Sequence, residues 1–191
     1  AHGEYLNFMN SGDYFYDNNV LNDVSYYLNY DVVLGKYEKN GIISGYDHDL
    51  TLIDFFKGSI NHQSAFIKSG LFNDSLYSEN YKIVSDWLFF LDKLVFNNAS
   101  LKNINRIIVD YDCYGISSLS KDLYDKERFE ILKSKLPEKI FMDYYRLYDA
   151  DSILMELTPY LNNTYRLNLL VYKLIKSIIY LHKMLKKNHI Q

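Results

Sequence analysis

Three short stretches of the chain combine residue types that could do chemistry. Ser85-Asp86-Trp87 puts a carboxylate in what reads as the first turn of a helix. The helix dipole favours negative charge there and keeps it ionised. Asp86 is therefore either a cap or a general base for a hydroxyl within hydrogen-bond reach. Trp87 beside it either walls an apolar acceptor site or fills the core. Asn61-His62-Gln63 comes just before a strand, where His62 can orient a substrate, bind a metal or serve the fold. Phe8-Met9-Asn10-Ser11-Gly12-Asp13 is a strand-to-turn junction. Asn10 and Asp13 offer hard oxygen ligands for Mg²⁺ or Mn²⁺, and through the ion for a diphosphate, or they simply close the turn. Two weaker sets are Asp47-His48-Asp49, whose neighbours point in different directions, and Asp110 with Asp112 beside Gly115-Ile116-Ser117-Ser118.

Several functions are excluded by what is missing. No GxGxxG or GxxxxGK[ST] occurs, so no glycine loop cradles phosphates in the manner of a P-loop or dinucleotide fold. No GxSxG elbow presents a serine nucleophile. The single cysteine, Cys113, excludes an internal disulfide framework and a cysteine zinc cluster, which suits a reducing, cytoplasmic setting. Residues 1–15 lack a basic region followed by an apolar run, so no secretory leader is expected. Net charge is -3, yet residues 165–191 carry Arg166, Lys173, Lys176, Lys183, Lys186 and Lys187 and no acid, which leaves -9 on the rest. An acidic body is a poor polyanion binder, and its basic residues are not interleaved with aromatics, so nucleic acid is not an expected partner.

The elements that must position these residues follow from spacing. Tyr5 to Met9 reads as a short buried strand. Asp17 or Asn18 caps a helix with Val20, Leu21, Val24, Tyr27 and Leu28 on one face. Strands are expected over Asp31–Tyr37, Ser64–Lys68 and Ile104–Val109, with Asn40-Gly41 as a turn. A helix runs from about Ser85 to Phe96, with Val84, Trp87, Leu88, Leu91, Leu94 and Val95 on one face. From Ser120 the chain reads as helical over 122–135, 138–148, 150–157 and 165–187, with Pro137 and Pro159 as breaks. This order predicts an α/β domain over residues 1–119 and a helical extension over 120–191.

In order along the chain, four segments resemble family 2 glycosyltransferases, which have the GT-A fold. The first is Ala1-His-Gly-Glu-Tyr-Leu-Asn-Phe-Met-Asn-Ser-Gly-Asp, similar to the family's A-x-G-E-Y-[IL] segment leading into its DxD-type metal loop. His62-Gln63 with Ala65-Phe66-Ile67 resembles the HQ-x-x-F-[IF] strand. Leu71-Phe72-Asn73-Asp74-Ser75-Leu76, followed by Ser85-Asp86-Trp87-Leu88-Phe89-Phe90-Leu91, resembles the F-D-E-S-L and D-W-x-F-x-L block. Asp112-Cys113-Tyr114-Gly115-Ile116-Ser117-Ser118 resembles the G-[IV]-S loop. One departure is plain: the loop reads Asn10-Ser11-Gly12-Asp13 where the family has Asp-x-Asp-Asp, so Asp13 is its one carboxylate.

The resemblance implies a partial GT-A-like, Rossmann-like mixed sheet with flanking helices. It implies an inverting hexosyltransferase that moves a sugar from a nucleotide-diphosphate sugar to a hydroxyl of a glycan or lipid-linked acceptor, as in polysaccharide biosynthesis. Asp86 would be the general base. Asn10 and Asp13 would face the diphosphate, Asp13 would hold Mg²⁺ or Mn²⁺, and His62, Gln63 and Trp87 would line the acceptor side. Family members begin with a nucleotide-binding β-α-β-α-β half, which is expected to precede Ala1. The apolar stripe and lysines of 165–187 suit peripheral contact with the inner face of a membrane, or packing on the body or a second copy of the chain. Two rival readings compete. One is a non-catalytic interaction or membrane-docking module derived from a transferase. The other is a glycoside hydrolase with Asp13 and Asp86 as acid and base.

Overall fold

The computed structural model describes residues 2–111, 121–162, 170–178 and 180. Its centre is strand β3 (Val32–Lys39), which Val32, Val33 and Leu34 make apolar on both faces. Strands buried on both sides read as continuous aliphatic runs. β3 lies parallel to β6 (Leu101–Asp110) and antiparallel to β5 (Ala65–Lys68). Two-residue strands close the edges: β1 (Tyr5–Leu6) on β5 and β2 (Tyr14–Phe15) on β6. The order is β1-β5-β3-β6-β2, with β4 (Ile42–Ser44) folded back on β3. The Asn40-Gly41 signal holds: both residues take positive φ, 50° and 78°, as a two-residue hairpin turn of matching twist requires.

The N-terminal ends of β3 and β6 are clamped by Asp31, whose carboxylate accepts the Ser100 N–H (2.9 Å) and hydroxyl (2.7 Å). Those bonds hold the Asp31 carboxyl below its ordinary value. One face of the sheet packs on helix α1 (Val20–Ser25) through Val20, Val24, Val33, Phe66, Ile104 and Ile108. Arg106 on β6 ties this helix down, pairing with Asp17 at 2.5 Å and Asp23 at 2.7 Å.

Helix α2 (Leu52–Lys57), which the spacing did not signal, is short and held by a Thr51–Asp54 capping box. The expected helix from Ser85 exists as α3 (Ser85–Phe90), and then loosens into a π-helical segment over Leu91–Phe96. Helix α4 (Lys121–Lys135) buries Glu127, Arg128, Ile131 and Leu132. Helix α5 runs Glu138–Asn162 without a break at Pro159. The expected strand Tyr5–Met9 shortens to two residues, because only Tyr5 and Leu6 find partners on β5.

The chain forms two compact units, Ala1–Tyr144 and Tyr145–Gln191. In the second, residues 170–178 are helical and leave Leu170, Tyr172, Leu174, Ile175 and Ile178 exposed. The rest of the expected 165–187 amphipathic helix, like the Asp112–Ser118 loop and Cys113, lies largely outside the described residues. Among the described residues no helix is long and apolar enough to cross a membrane.

Candidate functional site

Parallel strands place loops, and so ligands, beyond their carboxyl ends. At that end of β3 and β6 the first unit opens a cavity of about 540 Å³. Its walls come from several elements. β3 contributes Tyr37 and Lys39, the residue after β6 contributes Tyr111, the segment after β1 contributes Phe8 and Asn10, and α4 contributes Tyr124. The segment before β5 supplies Ser59, Asn61, His62 and Gln63, and the start of α3 supplies Ser85 and Asp86, with Tyr77 from the loop before it.

His62 sits on a 3-10 turn, His62–Ser64. Asn61 caps this turn, its Oδ1 accepting the Ser64 N–H at 2.9 Å. Asn7 fixes the same turn from outside, donating its amide to the Gln63 carbonyl (2.7 Å) and the Ala65 carbonyl (3.0 Å). The loop before α3 is held from two sides. The Glu127 carboxylate accepts the N–H groups of Lys82 and Ile83, both at 3.1 Å. The Ser85 hydroxyl donates to the Ser78 and Tyr81 carbonyls.

These supports bring Asp86 and His62 together: Nδ1 of His62 lies 2.6 Å from Oδ2 of Asp86. The other carboxylate oxygen, Oδ1, accepts the Trp87 N–H at 2.8 Å. Both side chains are partly open, at 20% for His62 and 24% for Asp86. Two phenols share the cavity. Burial, and then the Asp86 charge, push the Tyr77 hydroxyl up from its ordinary value. Burial does the same to Tyr124. Both remain neutral donors at physiological pH.

Of the residues expected from sequence, Asn10, His62, Gln63 and Asp86 line this one cavity. Gln63 does so from a buried position, 2% exposed. Trp87 needs correcting: it is 1% exposed, its indole N–H donates to the Gly58 carbonyl at 3.1 Å, and Phe55 meets it edge-on. Consecutive helix residues point about 100° apart, so Asp86 faces the cavity while Trp87 anchors α3 on the end of α2. Asp13 donates its N–H to the Asn10 carbonyl, 3.2 Å, in the turn before β2, and is not among the residues lining the cavity. It therefore does not share that lining with Asp86, as a two-carboxylate hydrolase would require.

Among the described residues no group of three or more His, Cys, Asp or Glu could hold a metal ion. The Asp47-His48-Asp49 set is committed elsewhere, His48 Nε2 lying 3.0 Å from Oδ1 of Asp54 at the cap of α2. Sequence reasoning passed over Tyr77, Tyr124, Tyr37, Tyr111 and Lys39. Lys39 and Tyr111 had a signal, as the residues at or just past strand ends. Tyr77 and Tyr124 had none.

No family model matches the chain, and no curated protein matches it in sequence. Solved structures match in fold. S. aureus TarS 1-349 superposes with a TM-score of 0.51 at 17% identity, over 86% of this chain and 51% of that one. The same protein in complex with UDP-GlcNAc gives 0.50 at 20%, over 75% and 47%. S. aureus TarS gives 0.50 at 18%, over 78% and 28%. This chain thus spans about half, or less, of each structure it matches. This chain thus shares the mixed α/β fold of S. aureus TarS.

Proposed function

We propose that the chain carries the acceptor side of an inverting, family 2-type glycosyltransferase site, moving a sugar from a nucleotide-diphosphate sugar to a hydroxyl of a glycan or lipid-linked acceptor. The observation that carries this reading is the 2.6 Å Asp86–His62 pair in an aromatic-walled cavity at the carboxyl ends of β3 and β6. Aromatic faces and amides suit the faces and hydroxyls of a sugar. The acceptor oxygen attacks the anomeric carbon, and the bond from that carbon to the diphosphate oxygen breaks, its electron pair leaving with the diphosphate. The acceptor proton leaves to the Asp86–His62 pair, Asp86 supplying the negative charge. Attack from the face opposite the leaving group inverts the centre.

Mg²⁺ typically takes one or two carboxylates, substrate phosphates and water. Asn10 and Asp13 would supply two oxygens to that sparse set, with a diphosphate completing it, and among the described residues no larger protein cage occurs. When bound there, the ion would neutralise charge on the departing diphosphate.

The test is Asp86→Asn in the full-length protein. Transfer should fall about a hundredfold or more, with nucleotide-sugar binding and thermal unfolding unchanged. Turnover like wild type would remove Asp86 from the chemistry. The second reading, a non-catalytic docking module, draws on the single-carboxylate loop and the exposed apolar residues of 170–178. It predicts no nucleotide binding at all.

A further inference from the structure

We propose that the Tyr77 hydroxyl is a hydrogen-bond donor to the acceptor, binding a second oxygen of the molecule whose reacting hydroxyl meets the Asp86–His62 pair. This rests on the glycosyl-transfer reading and narrows its acceptor to a polyol or sugar, as against a simple alcohol. The Tyr77 hydroxyl oxygen is buried and has no hydrogen-bond partner among the described residues. A buried hydroxyl left unpaired destabilises the fold that holds it, and native structures pair most such groups. Phenylalanine would supply the same ring without that cost.

The ring is what the fold uses. It packs on Phe8, Phe72 and Phe89, with centroids 5.3, 5.7 and 5.3 Å away. The oxygen adds nothing to that packing, so its use lies elsewhere. Tyr77 lines the same cavity as Asp86 and His62, and the Asp86 charge reaches its phenol. Burial and that charge keep the proton on the oxygen, which leaves a phenol ready to donate.

Tyr124 shares the cavity, and its hydroxyl is likewise buried and unbonded. Ser59 and Arg128 stand beside that oxygen, however, and act on it. Beside Tyr77 the acting group is Asp86 alone. No bond to protein has to break before Tyr77 donates, so a substrate oxygen gains the whole of the new bond. A substrate without that oxygen leaves the donor buried and unpaired, which is how a site built to bond a hydroxyl rejects the analogue lacking it.

The experiment compares full-length wild type with Tyr77→Phe, using UDP-GlcNAc as donor and glycerol, 1-propanol or water as acceptor. UDP release and mass spectrometry of the glycoside separate transfer from hydrolysis. With glycerol, Tyr77→Phe should lose about tenfold in kcat/KM. With 1-propanol and water, which lack a second oxygen, it should stay within about a factor of two. Its melting temperature should be unchanged or raised, because a buried unpaired hydroxyl has gone. A lowered melting temperature would show the hydroxyl bonded within the protein and would overturn the proposal. An equal loss with every acceptor, or a rise in donor KM alone, places the bond on the donor and overturns it too, as do unchanged kinetics throughout. In each of those cases glycosyl transfer stands. If wild-type protein neither releases UDP nor is stabilised by it, the transfer reading falls and the proposal falls with it.

Discussion

Gly35 sits in the middle of β3, where the register against β6 slips between Leu34 and Lys36. A Cβ built there would overlap Ile108 Cγ1 and lie 2.8 Å from the Arg106 carbonyl oxygen and 2.9 Å from Ile108 Cδ1. Ile108 is fully buried, so its side chain has little room to turn away, and the Arg106 oxygen belongs to the neighbouring strand. Gly35→Ala therefore forces β3 and β6 apart or drives Ile108 from its place. Overpacking of this kind costs about 1–3 kcal/mol. The lost freedom of the unfolded chain returns about 0.4–1 kcal/mol, so the net destabilisation is about 1–2 kcal/mol. For a protein of this size that lowers the melting temperature by about 2–8 °C. Urea unfolding of wild type, Gly35→Ala and Gly35→Val measures it, and the order matters. Strand propensity alone ranks Val best, whereas the steric account ranks it worst. Ile108→Ala in the Gly35→Ala background should recover part of the Gly35→Ala cost, through coupling of about 0.5 kcal/mol or more. If Gly35→Val is as stable as wild type, the close approach of the two strands is not what requires glycine.

Three further outcomes are expected. Glu127→Ala strands the N–H groups of Lys82 and Ile83, each otherwise 3.1 Å from its carboxylate. It should cost about 2–4 kcal/mol in urea unfolding and also weaken transfer, because that loop carries the chain into Asp86. The His48–Asp54 pair gives a pH signature. The Asp54 bond raises His48 above its ordinary 6.5, and Thr51 and His48 lower Asp54 below its ordinary 3.8 despite the opposing effect of burial. The His48 contribution is complete below pH 6.5 and is lost as pH rises through its raised value. The Asp54 contribution is complete above 3.8 and is lost as pH falls through its lowered value. The stability gap between wild type and His48→Gln should thus peak between about pH 4 and 6.5, at a few tenths of a kcal/mol because the His48 partner is exposed, and a gap independent of pH would refute it. Finally, UDP with Mn²⁺ should raise the thermal stability of the full-length protein, by about 2.7 kcal/mol at a hundred times Kd. An unchanged melting curve would favour the docking module.

Much of the α/β half was legible because its signals are local. The Asn40-Gly41 hairpin needs two positive-φ residues and states them. The Val32-Val33-Leu34 run reads as a strand, and the structure buries it on both faces. The bracketing of α3 was legible too, though its loosening into a π-helical segment was not. Helix α2 was missed because six residues are too few for a periodic pattern to emerge, and it depends on the Thr51–Asp54 box and on burial of Phe55 and Phe56. The two edge strands owe their lengths to their partners, not to their own residues.

For the site, the sequence determined the inventory: a carboxylate at a helix start, a histidine before a strand, an amide and an acid in a turn. Residue types and local spacing decide these, because they depend only on which side chains a short segment can cap or present. The tertiary structure decided the pairing. Asp86 and His62 are 24 residues apart, and only the packing of α3 against the Asn61–Ser64 turn sets one nitrogen 2.6 Å from one oxygen. It also decided exclusion, turning Trp87 into the core while its neighbour faces the cavity and leaving Asp13 off the cavity wall. Contacts of that kind depend on where distant segments meet, and the meeting point is set by the whole core rather than by any stretch of the chain.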